Sequence, residues 1–354
     1  MQNIKNYLIK TLTKIVPLTY RNPFESHEKM RVLIVSTTGL GDTLWATPAI
    51  KAIKTTYPNS FLGVLTSPIG KEILQHNPYV DEVYEIKRSF ISILRLLPLL
   101  KSKKFEIGLI FHFSQRPVLP LMHFAGCSKI LGIQGENKGL DELLTDRIYK
   151  KEEHEIEKRL RLASLIGAKA KDLSMDFLIP DEDSEQMDEW LQRDGKETLI
   201  GLHPGSKDLF KRWEPDYFIK LGQRLQNELN AKIVLTGSKE EKSLADKICA
   251  HIPKSISLAG KLSLSKLAAL LKKLSFFISN DTGPMHLSFA LNTPTLALFT
   301  PTDPLICGPY PFSSSVIARK KTCTPCLKKK CLDPFCLRQI SPDEVYEAVY
   351  ERLK

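Results

Sequence analysis

From Arg31 onward the chain alternates short β-branched apolar runs with stretches whose apolar residues recur every three or four positions. This is the pattern of buried parallel strands joined by crossover helices. The run Arg31-Val-Leu-Ile-Val-Ser-Thr37 opens the series, followed by a glycine-containing turn and a helix from about Thr43. Strand-like runs recur at Phe61–Thr66, Glu82–Ile86 and Glu106–Phe111. A second series predicts strands at Thr198–Leu202, Lys232–Thr236, Phe276–Ser279 and Thr295–Phe299. Its helices are predicted at Pro215–Leu229, Glu240–Ala250, Ser263–Lys272 and Gly283–Ala290. The alternation predicts an α/β protein of two doubly wound domains facing each other across a cleft.

The expected boundaries are 31–178 for the first domain, 179–198 for a linker and helix, and 199–340 for the second domain. A C-terminal helix within 341–354 is expected to cross back onto the first domain. Residues 1–30 stand apart. Ile4, Tyr7, Leu8, Leu12, Ile15 and Val16 recur at helical spacing among Lys5, Lys10 and Lys14, until Pro17 ends the pattern. Such a basic amphipathic helix either lies in a membrane interface or packs on the protein's own surface, and the spacing fits both.

Composition narrows the class. With 354 residues, 42% hydrophobic and 26% charged, the chain has material for two cores and excludes a disordered tail, a collagen-like repeat and a small disulfide scaffold. The longest apolar stretch, Phe90–Leu100, is broken by Arg95 and Pro98 and is too short to span a bilayer. A net charge of +11 points to an anionic partner, with phosphate, nucleic acid and acidic lipid all open. Of seven cysteines, Cys127, Cys249 and Cys307 sit in apolar segments, while Cys323, Cys326, Cys331 and Cys336 crowd a basic stretch. The early lysines interrupt any secretory apolar core, so a reducing cytosol is expected.

Ligands of open parallel sheets bind beyond the strands' carboxyl ends, so the turns there carry the candidate chemistry. In Ser36-Thr-Thr-Gly-Leu-Gly-Asp-Thr43, Gly39 and Gly41 admit a ligand close to the backbone, with Thr43 at the helix start. Leu44 stands where a dinucleotide fingerprint needs a third glycine. Asp42 is either a helix N-cap or a carboxylate aimed at the cleft. The second turn offers Gly205, Ser206, Lys207, Lys211 and Arg212, either a diphosphate site or a solvated basic loop. The third, Ser279-Asn-Asp-Thr-Gly-Pro-Met-His286, places Thr282 and Gly283 at a helix N-terminus with Asp281 and His286 beside them. Thr300-Pro-Thr-Asp-Pro304 follows the next strand.

These pieces resemble glycosyltransferase family nine, the bacterial lipopolysaccharide heptosyltransferases. Gly-Leu-Gly-Asp42 with Thr47-Pro-Ala49, His203-Pro-Gly-Ser206 with Lys211 and Trp213-Glu-Pro215, Asn280-Asp-Thr-Gly283 with His286, and Pro301-Thr-Asp-Pro304 occur in the family's order. The resemblance runs from about Arg31 to the C-terminus. It implies a GT-B architecture of two Rossmann-like domains, and inverting transfer of heptose from ADP-heptose to a lipopolysaccharide core sugar, without metal or cofactor. Apart from the resemblance, the lack of a secretory core, the amphipathic Ile4–Val16 pattern and the net charge lead to the expectation of a cytoplasmic protein, peripheral on the inner face of the cytoplasmic membrane. By position, Asp42 resembles the family's general base and Lys211 the lysine that stabilises the departing diphosphate. Ser206, Thr282 and Gly283 would hold phosphate, Asp281 and His286 the donor sugar, and Glu241, in preference to Glu240, the nucleoside. The chain departs from the family at Gly205-Ser206, where relatives often carry two hydroxyls, so Gly205 would act through its backbone.

Asp181-Glu-Asp183 spells a metal-binding D-x-D, yet lies before a helix, where acids favour the dipole. The four clustered cysteines form either a structural zinc site or free, redox-active thiols. A zinc-ribbon nucleic-acid binder would interleave aromatics with its basic residues, and the cysteine segment has only Phe335. Another nucleotide sugar, or a non-catalytic nucleotide-sugar binding module, remains the alternative, because fold alone does not establish turnover.

Overall fold

The computed structural model describes residue 11 and residues 30–87, 89–112, 117–191, 198–310, 315–321, 323–324 and 326–354. The amphipathic pattern over residues 4–16 therefore lies outside the described residues, Thr11 excepted. The chain divides after Phe177 into two compact units. Among the described residues, no helix is long and apolar enough to cross a membrane.

The first unit is built on β1 (Arg31–Ser36), β2 (Phe61–Thr66), β3 (Glu82–Glu85), β4 (Ile107–His112), β5 (Lys129–Ile133) and β6 (Asp146–Ile148). They form one parallel sheet in the order β3-β2-β1-β4-β5-β6. Val32, Leu33, Ile34 and Val35 of the central strand are fully buried. That is why an uninterrupted apolar run, rather than an alternating one, encodes it. β1 is followed by the short helix α1 (Leu40–Leu44), and α2 (Glu155–Ser164) closes the unit. The helix expected from Thr43 thus begins three residues earlier and breaks before Thr47.

In the second unit, β7 (Leu199–His203), β8 (Lys232–Leu235), β9 (Ile256–Ser257), β10 (Phe276–Asn280), β11 (Thr295–Phe299) and β12 (Val316–Ala318) repeat the plan. The order is β12-β11-β10-β7-β8-β9, again parallel. Both sheets reverse direction between two central strands, β1 and β4 in one and β7 and β10 in the other. Each switch point leaves a crevice at the strand ends. The flanking helices include α3 (Pro215–Leu229), α4 (Lys242–Cys249), α5 (Gly283–Ala290) and α6 (Pro342–Leu353).

The C-terminal helix, expected to cross back onto the first domain, contributes to the core of the second unit. Val345, Tyr346 and Val349 of α6 are buried in the second unit's own core with Trp213, Phe218 and Leu221. Arg224 of α3 stacks 3.7 Å from the Tyr346 ring centroid and pairs with Asp343 and Glu347. The apolar stripe of α6 thus meets the apolar stripe of α3, and their charges match at the rim. The D-x-D residues Asp181 and Asp183 lie in the first turn of the helix Asp181–Leu191. That placement suits a helix N-terminus.

Candidate active site

In the first unit the switch point is lined by the turn after β1. Gly39 is the N-cap of α1, in extended backbone, and Asp42 stands at the third helical position. Of the two roles open to Asp42, the N-cap position itself therefore falls to Gly39. Asp42 Oδ2 instead reaches back to accept from the Gly39 N–H at 3.3 Å, while the Thr43 hydroxyl donates to the Gly39 carbonyl at 3.1 Å. Gly41 lies within the same turn of helix. Thr43 is fully buried, so its hydroxyl is committed within the turn.

Asp42 has a partner the sequence did not reveal. Arg159 of α2, with its side chain fully buried, donates from a terminal nitrogen to Asp42 Oδ1 at 3.4 Å. Its other terminal nitrogen donates to the Glu155 carboxylate at 2.6 Å and the Glu155 carbonyl at 2.7 Å. The guanidinium also lies 5.6 Å from the Trp45 ring centroid. A buried guanidinium is tolerated only when it is paired, so these contacts fix where it points and hence where the Asp42 carboxylate sits. Burial raises the Glu155 pKa, but the charges of Arg159 and Lys158 hold it below the ordinary carboxylate range. Ser36 Oγ, Thr38 Oγ1 and His112 Nδ1, at or just beyond the ends of β1 and β4, are buried with no hydrogen-bond partner among the described residues. Unsatisfied polar atoms gathered at a strand end are the mark of a polar ligand site.

The second unit organises its crevice around Asn280, the last residue of β10. Its amide donates to the carbonyls of Pro204 (2.9 Å) and Gly205 (3.3 Å), and its carbonyl accepts the Trp213 backbone N–H at 3.1 Å. The indole of Trp213 is buried and donates to the Ile340 carbonyl at 2.9 Å. The turn after β7 and the turn after β10 are thereby held together. Lys211 ends a single 3-10 turn, Leu209–Lys211, and its Nζ lies 2.6 Å from Asp281 Oδ2. The Thr302 hydroxyl donates to the same oxygen. Thr302 belongs to the Thr300–Pro304 turn, and its contact brings that turn to the site.

Thr282 is the N-cap of α5 in extended backbone and makes no side-chain cap bond, and Gly283 is the first residue of that helix. The first-turn N–H groups of such a helix are anion donors. His286 is buried one turn further on. On the other side, Glu241 Oε2 accepts the Ser238 N–H at 2.9 Å, and Oε1 lies 3.7 Å from Arg212. A Cβ on residue 205 would stand 2.3 Å from the Glu241 carboxylate carbon, so only glycine allows this approach. Ser206 is buried, and its carbonyl accepts from Arg212 at 2.8 Å. Gly205, Ser206, Lys211, Glu241, Asp281, Thr282, Gly283 and His286 therefore all lie in the segments that follow the adjoining strands β7, β8 and β10. Glu240, in contrast, is exposed.

His203, the last residue of β7, hydrogen-bonds Thr236 Oγ1 through Nδ1 at 2.9 Å. Burial depresses its pKa to about 4, against the pull of the Glu241 charge and with the help of Arg212. The unfolded chain therefore takes up a proton between pH 6.5 and 4 that the folded chain refuses. Stability is expected to be full above pH 6.5 on this account and to fall as pH drops toward 4. Thermal melts across that range should show a shallower slope for His203→Gln, and an unchanged slope would refute the assignment.

The four clustered cysteines are free thiols, Cys323 exposed and Cys336 buried. Among the described residues no group of three or more His, Cys, Asp or Glu is placed to hold a metal ion, the D-x-D carboxylates included.

Two doubly wound parallel sheets, each with polar loops at its switch point, define a glycosyltransferase fold of the GT-B type. The family profile described as glycosyltransferase family 9 (heptosyltransferase) matches residues 95–335. The chain belongs to this family and is a glycosyltransferase. It is 26% identical over 341 residues to lipooligosaccharide heptosyltransferase 2 of Campylobacter jejuni, covering 92% of this chain and 99% of that one. Among solved structures, a family 9 glycosyltransferase from Veillonella parvula superposes with a TM-score of 0.78 at 20% identity, over 92% of this chain and 97% of the other. The ADP-heptose lipopolysaccharide heptosyltransferase II of E. coli gives 0.76 at 21% identity, over 92% and 98%. At these identities the structural matches speak for the fold.

Proposed function

We propose that the protein transfers heptose from ADP-heptose to a sugar of the lipopolysaccharide inner core, with inversion and without a metal ion. The observation that carries this reading is the second unit's strand-end cluster. There Lys211 meets Asp281 and Thr302 beside the N-terminus of α5. Displacement at an anomeric carbon builds negative charge on the departing diphosphate, and preorganised cations and helix N–H groups stabilise that charge. Lys211 relieves the charge, Ser206, Thr282 and Gly283 hold the phosphates, and Gly205 admits them through its backbone. Glu241, set against Gly205, contacts the nucleoside, and Asp281 and His286 orient the sugar. In the first unit, Asp42 accepts the proton of the acceptor hydroxyl as it attacks, and the Gly39 and Gly41 backbone shapes that side. The donor is supported by the name of the E. coli structure and the acceptor by the names of the relatives.

The deciding assay measures sugar transfer from ADP-heptose to an inner-core acceptor, with and without a chelator, using Asp42→Ala as control. Transfer that survives chelation and is lost in the variant supports the reading. Donor binding by both proteins with transfer by neither identifies a nucleotide-sugar binding module instead.

Membrane association belongs to the same proposal. The amphipathic pattern from Ile4 to Val16 and the net charge of +11 suit a cytoplasmic protein held peripherally on anionic lipid. Deleting residues 1–20 is expected to weaken co-sedimentation with anionic vesicles. Undiminished binding would place the attraction on the general basic surface.

A further inference from the structure

The cysteine-rich segment has so far no role, yet it forms one wall of a cavity. Its 3-10 turn, Lys328–Lys330, packs against the Leu209–Lys211 turn that carries Lys211. Between them lies a cavity of about 520 Å³, lined on one side by Lys211 and Thr302 and on the other by Lys321, Lys329, Lys330 and Cys326. Its one lining carboxylate is Asp208. Lys211 is paired with Asp281. Among the described residues, no ion pair neutralises Lys321, Lys329 or Lys330.

Several uncompensated ammonium groups converging on one concavity repel one another, and the concave wall focuses their field onto whatever enters. Lysine serves as a point-charge partner of phosphate, and its flexible stem adapts to an oxyanion in varied positions. Lys211 and Thr302 also contact Asp281, so the cavity shares Lys211 with the proposed donor site and lies beside it. The geometry points to a second oxyanion subsite, in which Lys321, Lys329 and Lys330 of the cysteine-rich segment hold a phosphate or diphosphate group of a substrate. That group belongs either to the nucleotide-sugar donor or to a phosphorylated saccharide acceptor. Anion binding stands on the cavity alone, and only the identity of the substrate rests on the proposed function.

Cys326 supplies a local reporter, since a bound anion shields its thiol. With the full chain, inorganic pyrophosphate is expected to slow N-ethylmaleimide labelling of Cys326 by about threefold, read by peptide mass, with Cys249 as internal control. The exposed lysines each contribute what a solvated ion pair does. Lys321→Ala/Lys329→Ala/Lys330→Ala together are therefore expected to weaken a substrate constant by about tenfold. A weaker ADP affinity with unchanged acceptor KM assigns the anion to the donor. A raised acceptor KM with unchanged ADP affinity assigns it to the acceptor. Cys326 labelling indifferent to saturating pyrophosphate, or ADP and acceptor constants within about twofold of wild type in the triple variant, overturns the subsite. If pyrophosphate protects Cys326 while no heptose is transferred, the proposed function fails and the subsite stands.

Discussion

Asp42→Asn is expected to lower kcat by about 10²- to 10⁴-fold while leaving ADP affinity unchanged, the range a positioned general base supplies. Asparagine is nearly isosteric, and its side-chain oxygen can still accept the Gly39 N–H that now meets Oδ2 at 3.3 Å. The turn and the α1 start survive, so the loss measures proton acceptance rather than folding. The surroundings of Asp42 fit that task. Arg159 approaches Oδ1 at 3.4 Å from a fully buried position, holding the carboxylate without enclosing it. Single-turnover rates with bound ADP-heptose, together with a melting curve, check the expectation. A loss smaller than about fivefold would remove Asp42 from the chemistry.

Lys211→Ala is expected to be nearly as severe, lowering kcat by about 10²- to 10³-fold, the typical loss when one preorganised charge-stabilising donor is removed. It carries a second effect. Asp281 is 5% exposed on its side chain, and taking away its ammonium partner leaves a buried carboxylate with, among the described residues, only Thr302 to bind it. About 1–3 kcal/mol of stability should be lost with it. The two effects separate in the double variant Lys211→Ala/Asp281→Asn. Neutralising the orphaned carboxylate should restore most of the stability and none of the rate. Recovery of activity along with stability would show that Lys211 matters for the fold alone.

The central strands were legible because parallel strands buried on both faces must be apolar throughout, as Val32–Val35 and Phe276–Ile278 are. The shortest strands were not. β6 and β12 have three residues each and β9 only two, too few for any periodicity to register. Loop residues could be shortlisted from glycines, hydroxyls and charges at strand ends, since the topology dictates where ligands go. Arg159 could not. It lies 117 residues from Asp42 in a helix whose charge pattern reads as solvated surface, and only folding brings it to the turn. The C-terminal helix shows the same difficulty. Its apolar stripe announces that it packs, but not against which partner.

The bond from the Trp213 indole to the Ile340 carbonyl has a practical corollary. The arm bearing Lys211 is anchored through this tryptophan to the start of the chain's final helix. The segment entering α6 thus acts as a guy-rope for the turn that carries Lys211. Removing α6 is expected to slacken a turn that lies more than a hundred residues upstream in sequence.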